Sequence, residues 1–121
     1  MSKRLRKKWL KKKGLYINPR DAWNLDIDFA EFAIPRLKML RENYMGYPGK
    51  EEIDTPEKWE AILDKIILAF ELYIDMSDMD DKYFQYDEDG KLSEESLALA
   101  ESDNTKIDEG LALFAKWFRY L

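Results

Sequence analysis

The sequence contains no histidine and no cysteine. Without histidine, the chain lacks the commonest general acid or base at neutral pH and the commonest ligand of zinc. Without cysteine, it has no disulfide and no thiolate chemistry, as is ordinary for a protein of a reducing compartment. Any catalysis would therefore depend on carboxylates, lysine, tyrosine or serine.

Long apolar runs and common catalytic motifs are also missing. No apolar run approaches the roughly 20 residues that span a bilayer, and the basic N-terminus lacks the apolar core of a secretion signal. The glycines of residues 46–49 do not have phosphate-loop spacing, and neither G-x-G-x-x-G nor G-x-S-x-G occurs. These absences predict a soluble, cytoplasmic protein that is not an enzyme, binds no cofactor or metal and does not contact a membrane.

Charge is unevenly distributed along the chain. The net charge is −5, yet residues 1–13 carry eight positive charges and no acid. The rest of the chain has twelve basic residues against all 25 acidic ones, a net charge of −13. A basic arm on an acidic body is the clearest functional indication in the composition. The candidate nucleic-acid-binding residues of this arm are Lys3, Arg4, Arg6, Lys7, Lys8, Trp9, Lys11, Lys12 and Lys13.

Leu5 and Trp9 interrupt the basic arm at a spacing of four. In a short helix they would lie on one side, surrounded by cations. Such a helix is marginal alone in water, because nucleation is costly and like charges repel. One interpretation is a contact with nucleic acid, in which Trp9 stacks on a base. The alternatives are an arm that docks on the acidic body of its own chain, and an unstructured solubilising tail.

The segment 55–74 is predicted to be the central helix of the fold. Thr55 is a typical N-cap, and Pro56 fits the first helical position. Apolar residues recur at helical spacing within a sector of roughly 140°. They are Trp59, Ile62, Leu63, Ile66, Ile67, Phe70, Tyr73 and Ile74. A second, narrower apolar line on the opposite side consists of Ala61, Leu68 and Leu72. A helix with two apolar sides is expected to pack on both.

Two further helices are expected to pack against the central one. The first covers residues 26–43, and Pro35 in its middle predicts a kink or a division into two short helices. A later helical region begins after Ser93 and is expected to break at residues 103–105. The strong final segment, residues 106–121, contains Gly110, which predicts the close approach of another helix.

The predicted fold is all-α. It is a compact bundle of about four helices around the central helix 55–75, with an acidic loop region at 75–92 and the basic N-terminal arm 1–13. A single helical domain, residues 14–121, follows the arm. Trp23, beside the start of the second helix, is interpreted as a core or boundary aromatic. Tyr83, Phe84 and Tyr86 are expected to pack back against the central helix as a short segment or a small strand pair, and Asp89-Gly90 predicts a turn.

Acidic residues form the candidate partner-binding face. One group lies in the loop region, and the other follows a flank of the central helix, where it would line a cation site or supply a general-acid pair if covered. Within segment 85–96, Asp87, Asp89 and Gly90 match positions of a calcium-binding loop. Gln85 and Ser96 replace both end ligands, so an acidic surface loop is expected instead. The candidate residues are Asp75, Asp78, Asp80, Asp81, Asp87, Glu88 and Asp89 in the loop, and Glu60, Asp64 and Glu71 on the flank.

Six short motifs occur in a recognisable order. They are W-N-L-D from Trp23, P-R-L from Pro35, G-Y-P from Gly46, W-x-x-x-L-D from Trp59, A-F-E from Ala69 and G-L-x-L-F-A-K-W-F from Gly110. In this order they resemble a group of small uncharacterised proteins encoded by bacteriophages, prophages and mobile elements, over most of residues 20–121. The resemblance implies a protein that acts inside an infected bacterium, and it supplies no catalytic residue.

The expected function is non-enzymatic binding. The acidic surface would engage a host protein or nucleoprotein complex, as an inhibitor of a defence or nucleic-acid-handling system whose groove accepts carboxylates in place of phosphates. The alternative is a nucleic-acid-binding, virion or assembly accessory protein that acts through arm residues 3–13. The first reading places the protein in the cytoplasm of the infected host, and the second also allows the virion. The oligomeric state is left open.

Overall fold

The predicted central helix lies between two other long helices in the computed structural model, which describes residues 2–50 and 52–121. The four α-helices are α1 (Lys3–Lys12), α2 (Leu25–Asn43), α3 (Pro56–Ser77) and α4 (Glu94–Trp117). Short 3-10 turns cover Pro19–Ala22, Asp81–Tyr83 and Phe118–Tyr120. In these residues extended pairing is limited to two isolated bridges, so the all-α prediction is confirmed.

α3 begins where its capping residues predict. The Thr55 hydroxyl accepts a hydrogen bond from the Lys58 N–H at 3.2 Å, and Pro56 occupies the first turn. Both α2 and α4 pack against the broad apolar stripe of α3. The predicted second packing side is wrong, since Ala61 and Leu68 are exposed and only Leu72 of that line is buried.

α2 is a single helix that continues through Pro35, so the predicted division into two short helices is wrong. The guanidinium of Arg36 donates to the carbonyl oxygen of Phe32 at 2.9 Å and so gives that turn an additional hydrogen bond. The side of α2 that faces α3 is built from small residues, with Ala30 and Ala33 both buried. Small side chains let the two backbones come close. Phe29 of α2 reaches α3 at the edge of this contact, 5.9 Å from the ring of Phe70, whereas Phe32 is exposed.

Trp23 was expected in the core or at its boundary, but 75% of its surface is exposed. It lies in the turn that joins the 3-10 turn Pro19–Ala22 to α2, outside the contact between the long helices. The expectation failed because a large aromatic side chain is buried only where another element packs over it, and the sequence near Trp23 does not show whether one does.

α4 is also continuous, so the break predicted at residues 103–105 is wrong. Asp103 is only 4% exposed, and the Tyr83 hydroxyl donates to its carboxylate at 2.7 Å. The Thr105 hydroxyl donates to the Glu101 carbonyl oxygen at 3.1 Å. These polar side chains therefore have partners within the fold and do not compete with the helical backbone.

The core consists of two adjoining clusters along α3. In the first, Ile66, Ile67 and Phe70 pack against Ala30, Ala33 and Leu37 of α2. In the second, Trp59 and Leu63 pack with Ile53 and Trp117, and the two indole rings meet edge to face at 6.2 Å. Leu121, at the end of the final segment, packs against both clusters.

Gly110→Ala is expected to lower the free energy of unfolding by about 1–3 kcal/mol, as overpacking of a close contact does. A Cβ at this position would overlap the Cβ of Ala69 and lie 2.6 Å from the carbonyl oxygen of Lys65. The gain in helix propensity, about 1 kcal/mol, is too small to compensate. Urea denaturation measures the difference.

Gly46→Ala is the matched control, because a Cβ there meets no atom within 4 Å. Its stability is expected to stay within about 0.5 kcal/mol of the wild type. A Gly110→Ala protein as stable as the wild type would contradict the close approach of α3 and α4.

Candidate functional site

The basic arm forms a well-capped helix, α1. The Ser2 hydroxyl accepts a hydrogen bond from the Leu5 N–H at 3.2 Å. At the other end, Gly14 adopts φ +70°, and the Leu15 N–H donates to the Leu10 carbonyl oxygen at 2.8 Å. This glycine-based C-cap and the two lysines of the last turn satisfy the exposed carbonyls and stabilise the negative end of the helix dipole.

α1 stands apart from the three long helices. No hydrogen bond or ion pair joins it to α2, α3 or α4 within the two ranges that the structure covers, and none of its residues is buried. Leu5 and Trp9 remain 57% and 47% exposed. Docking of the arm on its own acidic body, one of the alternatives from the sequence, is therefore not the arrangement found.

The exposed arm has two different sides. At 100° per residue, Leu5 and Trp9 share one side of α1, whereas Arg4, Lys7 and Lys11 form a stripe on the opposite side. The ammonium groups of Lys7 and Lys11 lie 5.2 and 5.1 Å from the ring centroid of Tyr16, which follows the helix. The predicted placement of the apolar pair on one side, surrounded by cations, is confirmed.

The acidic flank of α3 is an ion-pair seam rather than an open negative surface. The Arg41 guanidinium lies 3.0 Å from the Asp64 carboxylate and 3.5 Å from that of Glu60, and Lys38 lies 3.6 Å from Glu71. The hydrogen bond to Asp64 raises the pKa of Arg41. Since α2 supplies a cation for each of these carboxylates, the flank connects two helices, and its role as a partner-binding face stays a prediction.

Glu60 has a second partner on α2. The Tyr44 hydroxyl donates to its carboxylate at 2.8 Å, and this hydrogen bond raises the pKa of Tyr44. The Tyr44 ring also packs against the second core cluster.

Some carboxylates of the acidic loop likewise bind groups of the same chain. Asp75 pairs with the Lys82 ammonium at 2.7 Å, which raises the pKa of that lysine, and Asp80 accepts from the Lys82 N–H at 3.0 Å. One oxygen of Asp87 accepts from the N–H groups of Asp89 and Lys91 at 2.9 and 3.0 Å. The loop carboxylates that make neither an ion pair nor a side-chain hydrogen bond within residues 2–50 and 52–121 are those of Asp78, Asp81, Glu88 and Asp89.

The segment compared with a calcium loop is organised by its own backbone. Gly90 has φ +76°, which confirms the predicted turn. The Ser96 hydroxyl is buried, accepts from the Gln85 N–H at 3.0 Å and donates to the Lys82 carbonyl oxygen at 3.1 Å. Within the described parts of the chain, no group of three or more acidic side chains is placed to hold a metal ion.

An apolar groove between α2 and α4 is the feature that the sequence did not reveal. It encloses about 270 Å³ and is called the α2–α4 groove below. Its lining residues are Asp26, Phe29, Phe70, Tyr73, Leu111 and Phe114. The Tyr73 hydroxyl donates to the Asp26 carboxylate, and this bond lowers the pKa of Asp26, so the carboxylate stays charged. The recurrence of Leu25, Phe29 and Phe32 along α2 was the available signal, but it did not show which side α3 would cover.

No helix in the described residues is long and apolar enough to cross a membrane. A comparison of the chain with protein-family models, curated proteins and solved structures found no match.

Tyr83 attaches the acidic loop to α4. Its side chain is only 6% exposed, and its hydroxyl donates to the buried Asp103 carboxylate at 2.7 Å. Burial, together with this hydrogen bond, raises the pKa of Tyr83 to about 12. The protonated phenol is therefore the form that stabilises the fold.

Raising the pH from about 10 to about 12 is expected to destabilise the protein by an amount of order 2 kcal/mol through Tyr83. Protonated Tyr83 contributes its full share of the free energy of unfolding below the pKa of tyrosine in the unfolded chain, about 10. This contribution is lost as the pH rises through the pKa of Tyr83 in the folded protein, about 12. Tyr83→Phe removes the titrating group, so its free energy of unfolding should fall less steeply over this range. At neutral pH it should already be lower by about 1–3 kcal/mol, because Asp103 loses a buried donor.

Urea denaturation at stepped pH values measures both effects. Tyr86→Phe is the control, because Tyr86 is exposed and should leave the pH dependence as in the wild type. Identical alkaline profiles for the wild type and Tyr83→Phe would show that Tyr83 does not contribute.

Proposed function

We propose that the protein is a non-enzymatic nucleic-acid-binding protein that contacts phosphates through α1. The observation that supports this is the exposed basic helix, whose cations make no ion pair with any carboxylate in the described residues despite a net charge of −13 on the rest of the chain. Lysine and arginine side chains gain binding free energy at phosphates mainly by releasing condensed counterions.

The acidic body limits how the nucleic acid approaches. Its carboxylates repel phosphates, so contact is confined to α1. The stripe of Arg4, Lys7 and Lys11 then contacts about three phosphates, without reading base edges. The proposal is therefore sequence-independent binding. In the context implied by the resemblance, the ligand is nucleic acid inside an infected bacterium or genome packaged in a virion.

Binding to double-stranded DNA is expected to weaken with salt, with a slope of about −3 in log affinity against log salt concentration for three phosphate contacts. Lys7→Gln/Lys11→Gln removes two of these contacts. Its slope should fall to about −1, and its affinity at low salt should decrease at least tenfold. Fluorescence anisotropy with a labelled duplex at several salt concentrations measures both quantities.

Lys50→Gln/Lys91→Gln is the matched control, because it removes the same charge from exposed positions outside α1. It should leave the slope unchanged. If both double variants lost the same affinity for the duplex, the net charge of the protein rather than α1 would account for binding, and the proposal would be contradicted. Undetectable binding of the duplex by the wild type at low salt would refute the proposal.

A second candidate function, engagement of a host protein by the acidic loop, is favoured by one observation. Asp78, Asp81, Glu88 and Asp89 are exposed and make no ion pair in the described part of the chain. The loop that carries them is held to α4 by Tyr83, so the charges are presented on a fixed segment. An inhibitor of a host defence or nucleic-acid-handling complex would use them in place of phosphates.

Asp78→Lys/Asp81→Lys is expected to abolish capture of such a partner from an extract of the infected host, because it reverses the charge of the loop. Glu31→Lys/Glu42→Lys makes the same change on exposed positions of α2 and should retain capture. Affinity purification after nuclease treatment, with quantification of the bound proteins, measures the difference. Capture that survives the loop reversal, or that disappears equally in both variants, would contradict this function.

A further inference from the structure

We propose that α1 of one copy docks its Leu5–Trp9 side in the α2–α4 groove of a second copy, so that the protein forms a reciprocal dimer. The occupant is thus a second copy of this chain. The inference concerns the apolar side of α1 and is independent of the proposed phosphate contacts on the opposite side.

The groove has the character of an unfilled helix-binding surface. Three phenylalanine rings form its walls, with centroid distances of 5.9 Å for Phe29–Phe70, 6.0 Å for Phe29–Phe114 and 5.4 Å for Phe70–Phe114. Phe118 extends the aromatic surface, at 5.5 Å from Phe114, and is itself exposed. Leu25 and Phe32, one turn from Phe29 on α2, are also exposed. A contiguous apolar surface of this kind on a highly charged protein marks an interaction site.

α1 has the matching shape and chemistry. Leu5 and Trp9 are four residues apart on one side of a helix, which is the spacing by which an amphipathic helix anchors in an apolar groove. A tryptophan is a common anchor in such contacts, because it buries a large area with few rotatable bonds. The exposed indole of Trp9 therefore finds in the groove the apolar surroundings that it lacks on its own chain.

Charge complementarity favours the same pairing. Lys8 and Lys12 border the Leu5–Trp9 side on one flank, and Arg6 and Lys13 border it on the other. The groove contains the charged carboxylate of Asp26. Asp108 lies in the adjoining cavity, which shares Tyr73 and Leu111 with the groove. An arm with eight cations and a body of net charge −13 attract each other across two copies.

The connecting segment is folded while α1 remains uncovered by its own chain, since no residue of α1 is buried. It is held by successive local hydrogen bonds, from the Leu15 N–H to the Leu10 carbonyl oxygen at 2.8 Å and from the Arg20 N–H to the Asn18 side chain at 3.0 Å. The Trp23 N–H then donates to the Arg20 carbonyl oxygen at 3.1 Å, directly before α2. Docking on a second copy leaves these hydrogen bonds intact.

Interface area favours a reciprocal arrangement. α1 has ten residues and is about 15 Å long, so a single helix-in-groove contact is small beside the roughly 1,200–2,000 Å² that stable interfaces bury. Two copies related by a two-fold axis make the contact twice, and the assembly closes without leaving an open groove. The stripe of Arg4, Lys7 and Lys11 stays exposed on each copy.

Sedimentation equilibrium of the full chain from about 1 to about 100 µM measures the dimer dissociation constant. Wild-type protein is expected to dimerise within this range. Trp9→Ala on the arm and Leu111→Lys in the groove should each raise the dissociation constant at least tenfold.

Leu99→Lys is the matched control, because Leu99 and Leu111 lie on the same helix and are both 37% exposed. Met45→Ala, in the loop after α2, controls for loss of an exposed apolar side chain. Both controls should retain wild-type association.

A mixture of the two interface variants provides a second measurement that does not depend on their stability. Trp9→Ala keeps an intact groove and Leu111→Lys keeps an intact arm, so together they should associate through one contact more tightly than either does alone. A wild-type protein that is monomeric over the whole range would overturn the inference. Dimerisation unaffected by either variant, or a mixture no stronger than its components, would overturn it as well.

Discussion

The contact between α3 and α4 at Gly110 is the constraint on which the rest of the fold depends. Because Gly110 has no Cβ, the α4 backbone comes close to Ala69 and to the Lys65 carbonyl of α3. This approach brings Phe114 and Trp117 within reach of the α3 stripe, and the two core clusters form around them. Ala30 and Ala33 have the corresponding role for α2. Small residues thus set the distance between the helices, and large aromatic residues fill the space that remains between them.

This packing also decides which charges remain available for binding. α2 lies beside α3 with Lys38 and Arg41 against the acidic flank, so those carboxylates connect helices. At the edge of the contact between α2 and α3, Phe29 packs beside Phe70 and forms one wall of the α2–α4 groove. Three surfaces are left: the basic helix α1, the outer carboxylates of the acidic loop and the apolar groove. Each of these surfaces has a different chemistry.

Much of the architecture follows from local sequence signals. Thr55-Pro56 and the helical spacing of apolar residues are sufficient to place α3, and the spacing of Leu5 and Trp9 is sufficient to place them on one side of α1. Local signals failed where a distant partner intervened. Asp103 was expected to end a helix, yet it stays helical because Tyr83, 20 residues earlier, hydrogen-bonds its carboxylate. Local signals likewise did not show that Asp64 pairs with Arg41, 23 residues away.

The sequence by itself therefore determined that the chain is helical, that its central segment is the most buried, and that its cations are concentrated in a separate arm. Periodicity and capping are properties of neighbouring residues, so they can be read along the chain. Only the tertiary structure decided which side of α2 is covered, which carboxylates are neutralised and where an apolar groove stays open. These outcomes depend on how closely two helices approach each other, and that distance is set by residues such as Gly110 and Ala69, which are far apart in the sequence.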